Sequence, residues 1–169
     1  MLEVPKCGSR TLVKVGKSLY GENYLAGHLS LRKILSRIDQ ENRARPVNWE
    51  VTRVIRIFRH PIDRFVSGLN YECQNKRFSI DYLIDRALDG KSETIYAPQN
   101  TWCQEGHPLV ETYPIHRMSY LFKDLGYSGL LWENKSQKQF SIEDVKSHKR
   151  YDDIQLKYEH DLLLWEKYR

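Results

Sequence analysis

Residues 51–69 read VTRVIRIFRHPIDRFVSGL, and this stretch decides the fold. Residues 51–58 are rich in apolar and β-branched side chains, which predicts a buried strand. Pro61 follows, and proline is favoured as the first residue of a helix. Apolar side chains then recur at the spacing of one buried helix face, at Ile62, Phe65, Val66 and Leu69. A strand that turns directly into a helix is typical of α/β folds with parallel sheets.

The other apolar patterns predict helices on both sides of this unit. Helical stripes occur at Leu12–Leu19, at Leu31–Ile38 after the candidate N-cap Ser30, and at Ile80–Leu88 before Gly90. Further predictions are a first strand at Leu2–Val4, a long loop at Lys91–Pro108, a capping box at Ser141 and Asp144, and one C-terminal helix along Ile154, Tyr158, Leu162 and Trp165. We therefore expect a single α/β domain over residues 1–169, P-loop-like and three-layered, with a central, mainly parallel sheet flanked by helices.

Bulk composition narrows the class of protein and leaves the partner open. A length of 169 residues suits one domain, and no apolar run approaches the length of a membrane span. The N-terminus lacks a basic region followed by an apolar stretch, so we expect no signal peptide and, by default, a cytoplasmic location. Three cysteines favour a reducing compartment, with one disulfide plus a free thiol as the alternative. The net charge of +5 favours an anionic partner, which could be a nucleotide, a nucleic acid or an anionic polysaccharide.

The segment Val4-Pro5-Lys6-Cys7-Gly8-Ser9-Arg10-Thr11 is a second junction of strand, turn and helix. Gly8 lets backbone N–H groups converge on an anion, and the following helix directs its positive end to the same place. Lys6 adds a full charge, and the hydroxyls of Ser9 and Thr11 add donors. This chemistry suits a phosphate or a sulfate.

This turn is not a Walker A loop. Gly16-Lys17-Ser18 and Gly90-Lys91-Ser92 match the end of that motif. The earlier glycine that the motif requires is replaced by Thr11 in the first case and by Asp85 in the second.

Arg59 and Ser67 form a candidate site for a second phosphate. Arg59 leaves the carboxyl end of the strand predicted at 51–58, where ligands of open α/β sheets gather. Ser67 lies about two helical turns further along the chain. A guanidinium fork and a hydroxyl can together hold a phosphate. The alternative is a surface arginine and a serine on a helix face.

Taken together, the two segments resemble the nucleotide-binding motifs of sulfotransferases that use PAPS (3′-phosphoadenosine 5′-phosphosulfate). Residues 5–11 resemble the 5′-phosphosulfate loop, although the family usually has a small hydroxyl residue at the position of Arg10. Arg59-His60-Pro61 with Arg64 and Ser67 is similar to the 3′-phosphate motif. The likeness is closest to the carbohydrate (Golgi-type, heparan/chondroitin-like) branch, and it extends to Pro98-Gln99, Asn134-Lys135-Ser136 and Tyr158-x-x-Asp161-Leu162.

The resemblance implies the transfer of a sulfuryl group from PAPS to a hydroxyl acceptor, and its branch suggests a carbohydrate. It implies an in-line displacement that releases adenosine 3′,5′-bisphosphate, with no metal and no nucleic-acid partner. His28, within Gly27-His28, would be the general base, because a neutral imidazole accepts a proton near neutral pH. Lys6 would act with it by neutralising charge on the leaving phosphate. The implied donor-binding residues are Lys6, Cys7, Gly8, Ser9, Arg10, Thr11, Arg59, Ser67, Asn134, Lys135 and Ser136.

Two other functions compete with this one. A P-loop phosphotransferase would need a Walker A lysine and an acidic Mg²⁺ ligand after a strand, and neither is evident in the sequence. A non-catalytic binder of anionic glycans or nucleic acid would use the net charge of +5. Its binding would weaken steeply with salt and would not depend on a 3′-phosphate.

Overall fold

The computed structural model describes residues 7–21, 30–44, 53–74, 76–90, 93–102, 106–129 and 138–169. Its helices are α1 (Ser9–Tyr20), α2 (Leu31–Ala44), α3 (Pro61–Glu72), α4 (Ile80–Leu88), α5 (Glu93–Tyr96), α6 (Met118–Asp124), α7 (Ile142–Lys146), α8 (Tyr151–Lys157) and α9 (Glu159–Tyr168). The strands are β1 (Val54–Phe58) and β2 (Val110–Pro114), and short 3₁₀ helices span Gln99–Thr101 and Ile115–Arg117. The strand predicted at Leu2–Val4 lies outside the described residues.

The two strands form a parallel pair. Val54 lies opposite Val110, and Phe58 lies opposite Pro114. Every residue of β1 is buried, as expected for a strand covered on both faces. The predictions of a mixed α/β chain, of a buried strand and of parallel pairing are therefore confirmed. The three-layer, P-loop-like architecture stays a prediction, because the described part of the chain contains only this strand pair.

A buried arginine fastens the strand pair. Arg56 is 1% exposed, and its Nε and Nη2 atoms donate to Thr112 Oγ1 at 3.1 and 2.8 Å. Its guanidinium also lies 5.6 Å from the centre of the Phe58 ring. Because Thr112 is the register partner of Arg56, these hydrogen bonds reinforce the backbone pairing.

The chain forms two compact units that interleave along the sequence. The first comprises Met1–Phe58 with Gln99–Leu130, and the second comprises Arg59–Pro98 with Leu131–Arg169. The first contains α1, α2, the strand pair and α6. The second is helical in its described part, and in it α3 packs against α4, α5, α7 and α9.

Most of the predicted helices are confirmed. α1 buries Leu12 and Val15, and α3 begins at Pro61. α4 buries Leu83, Ile84 and Ala87, and Gly90 beyond its end has the positive φ of a C′ glycine. The capping box at Ser141 and Asp144 is present with both of its hydrogen bonds. No helix among the described residues is both long and apolar enough to cross a membrane.

The prediction of a long loop at Lys91–Pro108 is wrong at Glu93–Tyr96, which form α5, and at Gln99–Thr101, which form a 3₁₀ helix. Tertiary contacts explain the difference. Arg64 Nη2 donates to the carbonyl oxygen of Ile95 at 2.8 Å, and Tyr96 is buried against Phe65. Gly68 permits this close approach, since a Cβ there would lie 2.7 Å from the Tyr96 ring.

The single C-terminal helix that the sequence predicts is two helices, α8 and α9, with a break at Tyr158. The backbone of Tyr158 leaves the helical region at φ −110° and ψ 14°. Its buried hydroxyl donates to the carbonyl oxygen of Tyr96 at 2.7 Å, which fixes the break in place. Beyond it Asp161 and Leu164 are buried, whereas Leu162 and Trp165 are half-buried.

Candidate functional site

The turn before α1 has the geometry of an anion site. Gly8 is the N-cap residue with φ 78° and ψ 23°, a left-handed conformation that favours glycine. Its carbonyl oxygen accepts the first helical hydrogen bond, from Leu12 N at 3.0 Å. The first turn of α1 contains no acidic residue, so the positive end of the helix is not neutralised from within. This arrangement favours a phosphate or sulfate.

Cys7 links this turn to a distant segment. The Cys7 thiol is fully buried, and Sγ donates to Gln99 Oε1 at 3.0 Å. Gln99 is itself fully buried. The structure thus brings together Cys7 and Gln99, one residue from each of two segments that carry the family resemblance.

The close approach of Gly8 to Met118 indicates where the turn lies relative to the strand pair. A Cβ on Gly8 would lie 3.1 Å from Met118 Sδ. Met118 begins α6, shortly after β2 ends at Pro114. The turn therefore lies toward the carboxyl end of the parallel strands, where ligands of α/β proteins bind. Nothing in the local sequence around Met118 indicated this contact.

Arg10 and Thr11, in the first turn of α1, differ in their exposure to solvent. Arg10 is exposed, whereas Thr11 is buried. Arg10 can therefore approach a ligand only from the solvent side. The Thr11 side chain belongs to the packed face of α1.

Arg59 and Ser67 occupy the positions that the sequence predicts. Arg59 follows directly after β1, and both side chains are partly buried. Between them Arg64 is 1% exposed and bonds to the Ile95 carbonyl, so its role is structural. Asp63, one helical turn before Ser67, is also partly exposed. Asp63 and Ser67 therefore lie on the same open side of α3.

Asn70 on α3 anchors residues 139 and 140 by three hydrogen bonds. Its Oδ1 accepts from Gln139 N at 2.6 Å and from Phe140 N at 2.8 Å, and its Nδ2 donates to the Phe140 carbonyl at 2.9 Å. The candidate residues 134–136 lie just before this anchored stretch in the sequence. Asn70 lies about one helical turn from Ser67. It therefore fixes the position at which the chain enters α7.

His60 occupies the variable position of the Arg59 motif. Its ring packs edge-on against Trp165, with centres 5.6 Å apart and planes at 89°. Burial lowers the pKa of His60 below its ordinary value, and this outweighs the opposite effect of Asp63. The lowered pKa favours the neutral form of the His60 imidazole.

Several candidate residues lie outside the described part of the chain. They are Lys6, His28, Asn134, Lys135 and Ser136; of Ser9 only the backbone is described. The Gly8 turn belongs to the first unit, and Arg59 and Ser67 belong to the second. The assignment of all these residues to donor binding or catalysis stays a prediction.

Comparison of the chain with protein-family models, with curated proteins and with solved structures finds no match in any of the three.

The Gly8 turn yields a stability prediction with a matched control. Gly126 has φ +83° and open space around it, whereas Gly8 has φ +78° and faces Met118. Gly126→Ala is expected to lower the free energy of unfolding by about 1–2 kcal/mol, the cost of a left-handed alanine. Gly8→Ala should cost about 1 kcal/mol more, because Met118 must move. Urea denaturation followed by circular dichroism measures both, and equal losses would show that Met118 does not constrain the turn.

Proposed function

We propose that the chain is a sulfotransferase that transfers a sulfuryl group from PAPS to a hydroxyl acceptor, a carbohydrate in the simplest case. The observation that carries the proposal is the left-handed Gly8 turn at the positive end of α1, with no acidic residue in the first helical turn. The position of Arg59 at the end of a buried strand supports it. The wider P-loop-like fold, with three layers and a central sheet, is part of the same proposal.

In this proposal each motif binds one end of the donor. The backbone N–H groups of Cys7–Thr11, with Lys6, would hold the 5′-phosphosulfate. Arg59 and Ser67 would hold the 3′-phosphate, with residues 134–136 close to the nucleotide. The fixed guanidinium fork of Arg59 suits bidentate recognition of a phosphate.

The chemistry would be a single displacement at sulfur. PAPS supplies the sulfuryl group and leaves as adenosine 3′,5′-bisphosphate. His28 would take the proton of the acceptor hydroxyl while the new oxygen–sulfur bond forms. Lys6 would neutralise the charge that develops on the leaving phosphate as the old sulfur–oxygen bond breaks. A protonated His28 and a sulfated acceptor complete the balance.

A second function is supported by one surface. A groove along α2 is lined by Ser30, Arg32, Lys33, Ser36, Arg37, Gln40 and Glu41. Three of these side chains are cationic, which suits a non-catalytic binder of polyanions. We rank this below the sulfotransferase, because it gives no role to the Gly8 turn or to Arg59.

Calorimetric titration of adenosine 3′,5′-bisphosphate, with 5′-AMP as the control ligand, tests the proposal. Arg59→Ala is expected to weaken binding of the bisphosphate by about 10- to 150-fold, the loss of one charge-assisted phosphate contact. Binding of 5′-AMP should hardly change, because it lacks the 3′-phosphate.

Arg37→Ala is the matched control, since it removes the same charge from the α2 groove. It should leave bisphosphate binding as in the wild type. Weak, salt-sensitive binding of both nucleotides, reduced by Arg37→Ala and not by Arg59→Ala, would replace the sulfotransferase with the polyanion binder.

A further inference from the structure

The segment from Tyr158 through α9 runs antiparallel to the start of α3. His60 contacts Trp165, and five residues further along α3 Phe65 contacts Tyr158 at 5.9 Å between ring centres. The earlier residue, His60, contacts the later partner, Trp165, and the later residue, Phe65, contacts the earlier partner, Tyr158. The second half of α9 therefore lies beside His60, the residue that precedes α3. Both contacts lie within the second unit.

His60 lies in a connection with little freedom. Only Arg59 and His60 separate β1 from α3. His60 has φ −51° and ψ 126°, in the extended region to which a following proline restricts a residue. Because Arg59 is bonded directly to His60, a shift of the His60 backbone moves Arg59 as well.

Aromatic packing against Trp165 holds the His60 ring, and its Nδ1 atom has no hydrogen-bond partner among the described residues. Nδ1 is buried, and Asp63 Oδ1 is 3.8 Å from it, beyond hydrogen-bond distance. The perpendicular ring of Trp165 is the close contact. An edge-to-face pair of this kind prefers a defined orientation.

We propose that Trp165 is a positioning residue for the 3′-phosphate site, where its contact with His60 holds the connection that carries Arg59. The inference rests on the proposed function, in which Arg59 binds the 3′-phosphate. It extends that site to α9, which contains none of the residues of the phosphate motif. Binding of a 3′-phosphorylated nucleotide must then also alter the surroundings of the Trp165 indole.

The test compares Trp165→Leu, which removes the ring, with Trp165→Phe, which keeps an aromatic partner for His60. Trp165→Leu is expected to weaken adenosine 3′,5′-bisphosphate binding about 2- to 10-fold in calorimetry, with 5′-AMP unchanged, and Trp165→Phe should restore most of the loss. Leu163→Ala is the matched control, because Leu163 is on the same helix and 67% exposed. It should bind both nucleotides as the wild type does.

Tryptophan fluorescence provides a measurement that the nucleotide would not change if Trp165 had only a structural role. The bisphosphate should change the tryptophan emission of the wild type, and this change should be absent in Trp165→Phe. Persistence of the change in Trp165→Phe would assign it to the other three of the four tryptophans and would overturn the inference. Equal weakening of both nucleotides by Trp165→Leu would do the same.

The outcomes separate this inference from the proposed function. If the wild type binds the bisphosphate and Arg59→Ala weakens it, but Trp165→Leu binds normally, only the positioning role fails. If the wild type does not distinguish the bisphosphate from 5′-AMP, the proposed function fails and the inference falls with it. Should Trp165→Leu not fold, His60→Ala examines the same contact from α3, with the same two nucleotides and the same expected loss.

Discussion

Replacing His28 with alanine is expected to lower the rate of sulfuryl transfer about 10²- to 10⁴-fold, the usual contribution of a general base. Binding of adenosine 3′,5′-bisphosphate should remain as in the wild type, because the proposed role of His28 is toward the acceptor. The measurement is release of adenosine 3′,5′-bisphosphate from PAPS in the presence of a desulfated glycosaminoglycan, beside calorimetry of the same variant.

His160→Ala is the control for His28, since His160 is an exposed histidine on α9 with no part in the mechanism. Added imidazole should recover part of the activity of His28→Ala and none of that of a binding variant such as Arg59→Ala. Wild-type turnover by His28→Ala would assign the base to another group. A loss of bisphosphate affinity in His28→Ala would assign His28 to donor binding.

Phe65→Ala is expected to lower the free energy of unfolding by about 3–5 kcal/mol, the range for removing a buried aromatic ring. Phe65 is 1% exposed, and its ring lies 5.4 Å from Tyr96 and 5.9 Å from Tyr158. These contacts join α3 to α5 and to the break between α8 and α9. The cavity cannot close easily, because both neighbouring rings are themselves buried.

Urea denaturation followed by circular dichroism measures this loss, with Phe78→Ala as the control. The Phe78 ring is partly buried and stacks on the exposed Tyr82, so its removal should cost clearly less. Equal losses in the two variants would show that Phe65 is not a central core residue.

Phe122 is a buried residue of the first unit, whereas Phe65 belongs to the second. Comparing Phe122→Ala with Phe65→Ala therefore tests the prediction of a single domain. If the chain is one domain, both phenylalanine variants move one common transition. Two transitions, with only one shifted by each variant, would mean that the two units unfold independently.

The junction of β1 and α3 could be predicted because its signals are local. The apolar run of β1, Pro61 and the apolar spacing of α3 all lie within one short stretch, and each agrees with its neighbours. The Gly8 turn could be predicted for the same reason, since only glycine accepts its backbone conformation at low cost. The residue types needed for anion binding also lie next to one another there.

β2 could not be predicted, because Val110-Glu111-Thr112-Tyr113-Pro114 is partly polar and ends in proline. It is a strand because β1 offers it a parallel partner and because Arg56 reaches Thr112. The break at Tyr158 likewise depends on a distant carbonyl, that of Tyr96. The contact between His60 and Trp165 joins residues far apart in the chain, so no local pattern contains it.

The parallel pairing of β1 and β2 has a consequence for synthesis on the ribosome. Arg56 is made 56 residues before Thr112. At about 5–20 residues per second, β1 emerges from the ribosome some 3–11 s before its partner strand does. During that interval an apolar strand exposes an unpaired edge, the feature most prone to pair with another chain. Val54–Phe58 is therefore a segment of the nascent protein that a chaperone would protect.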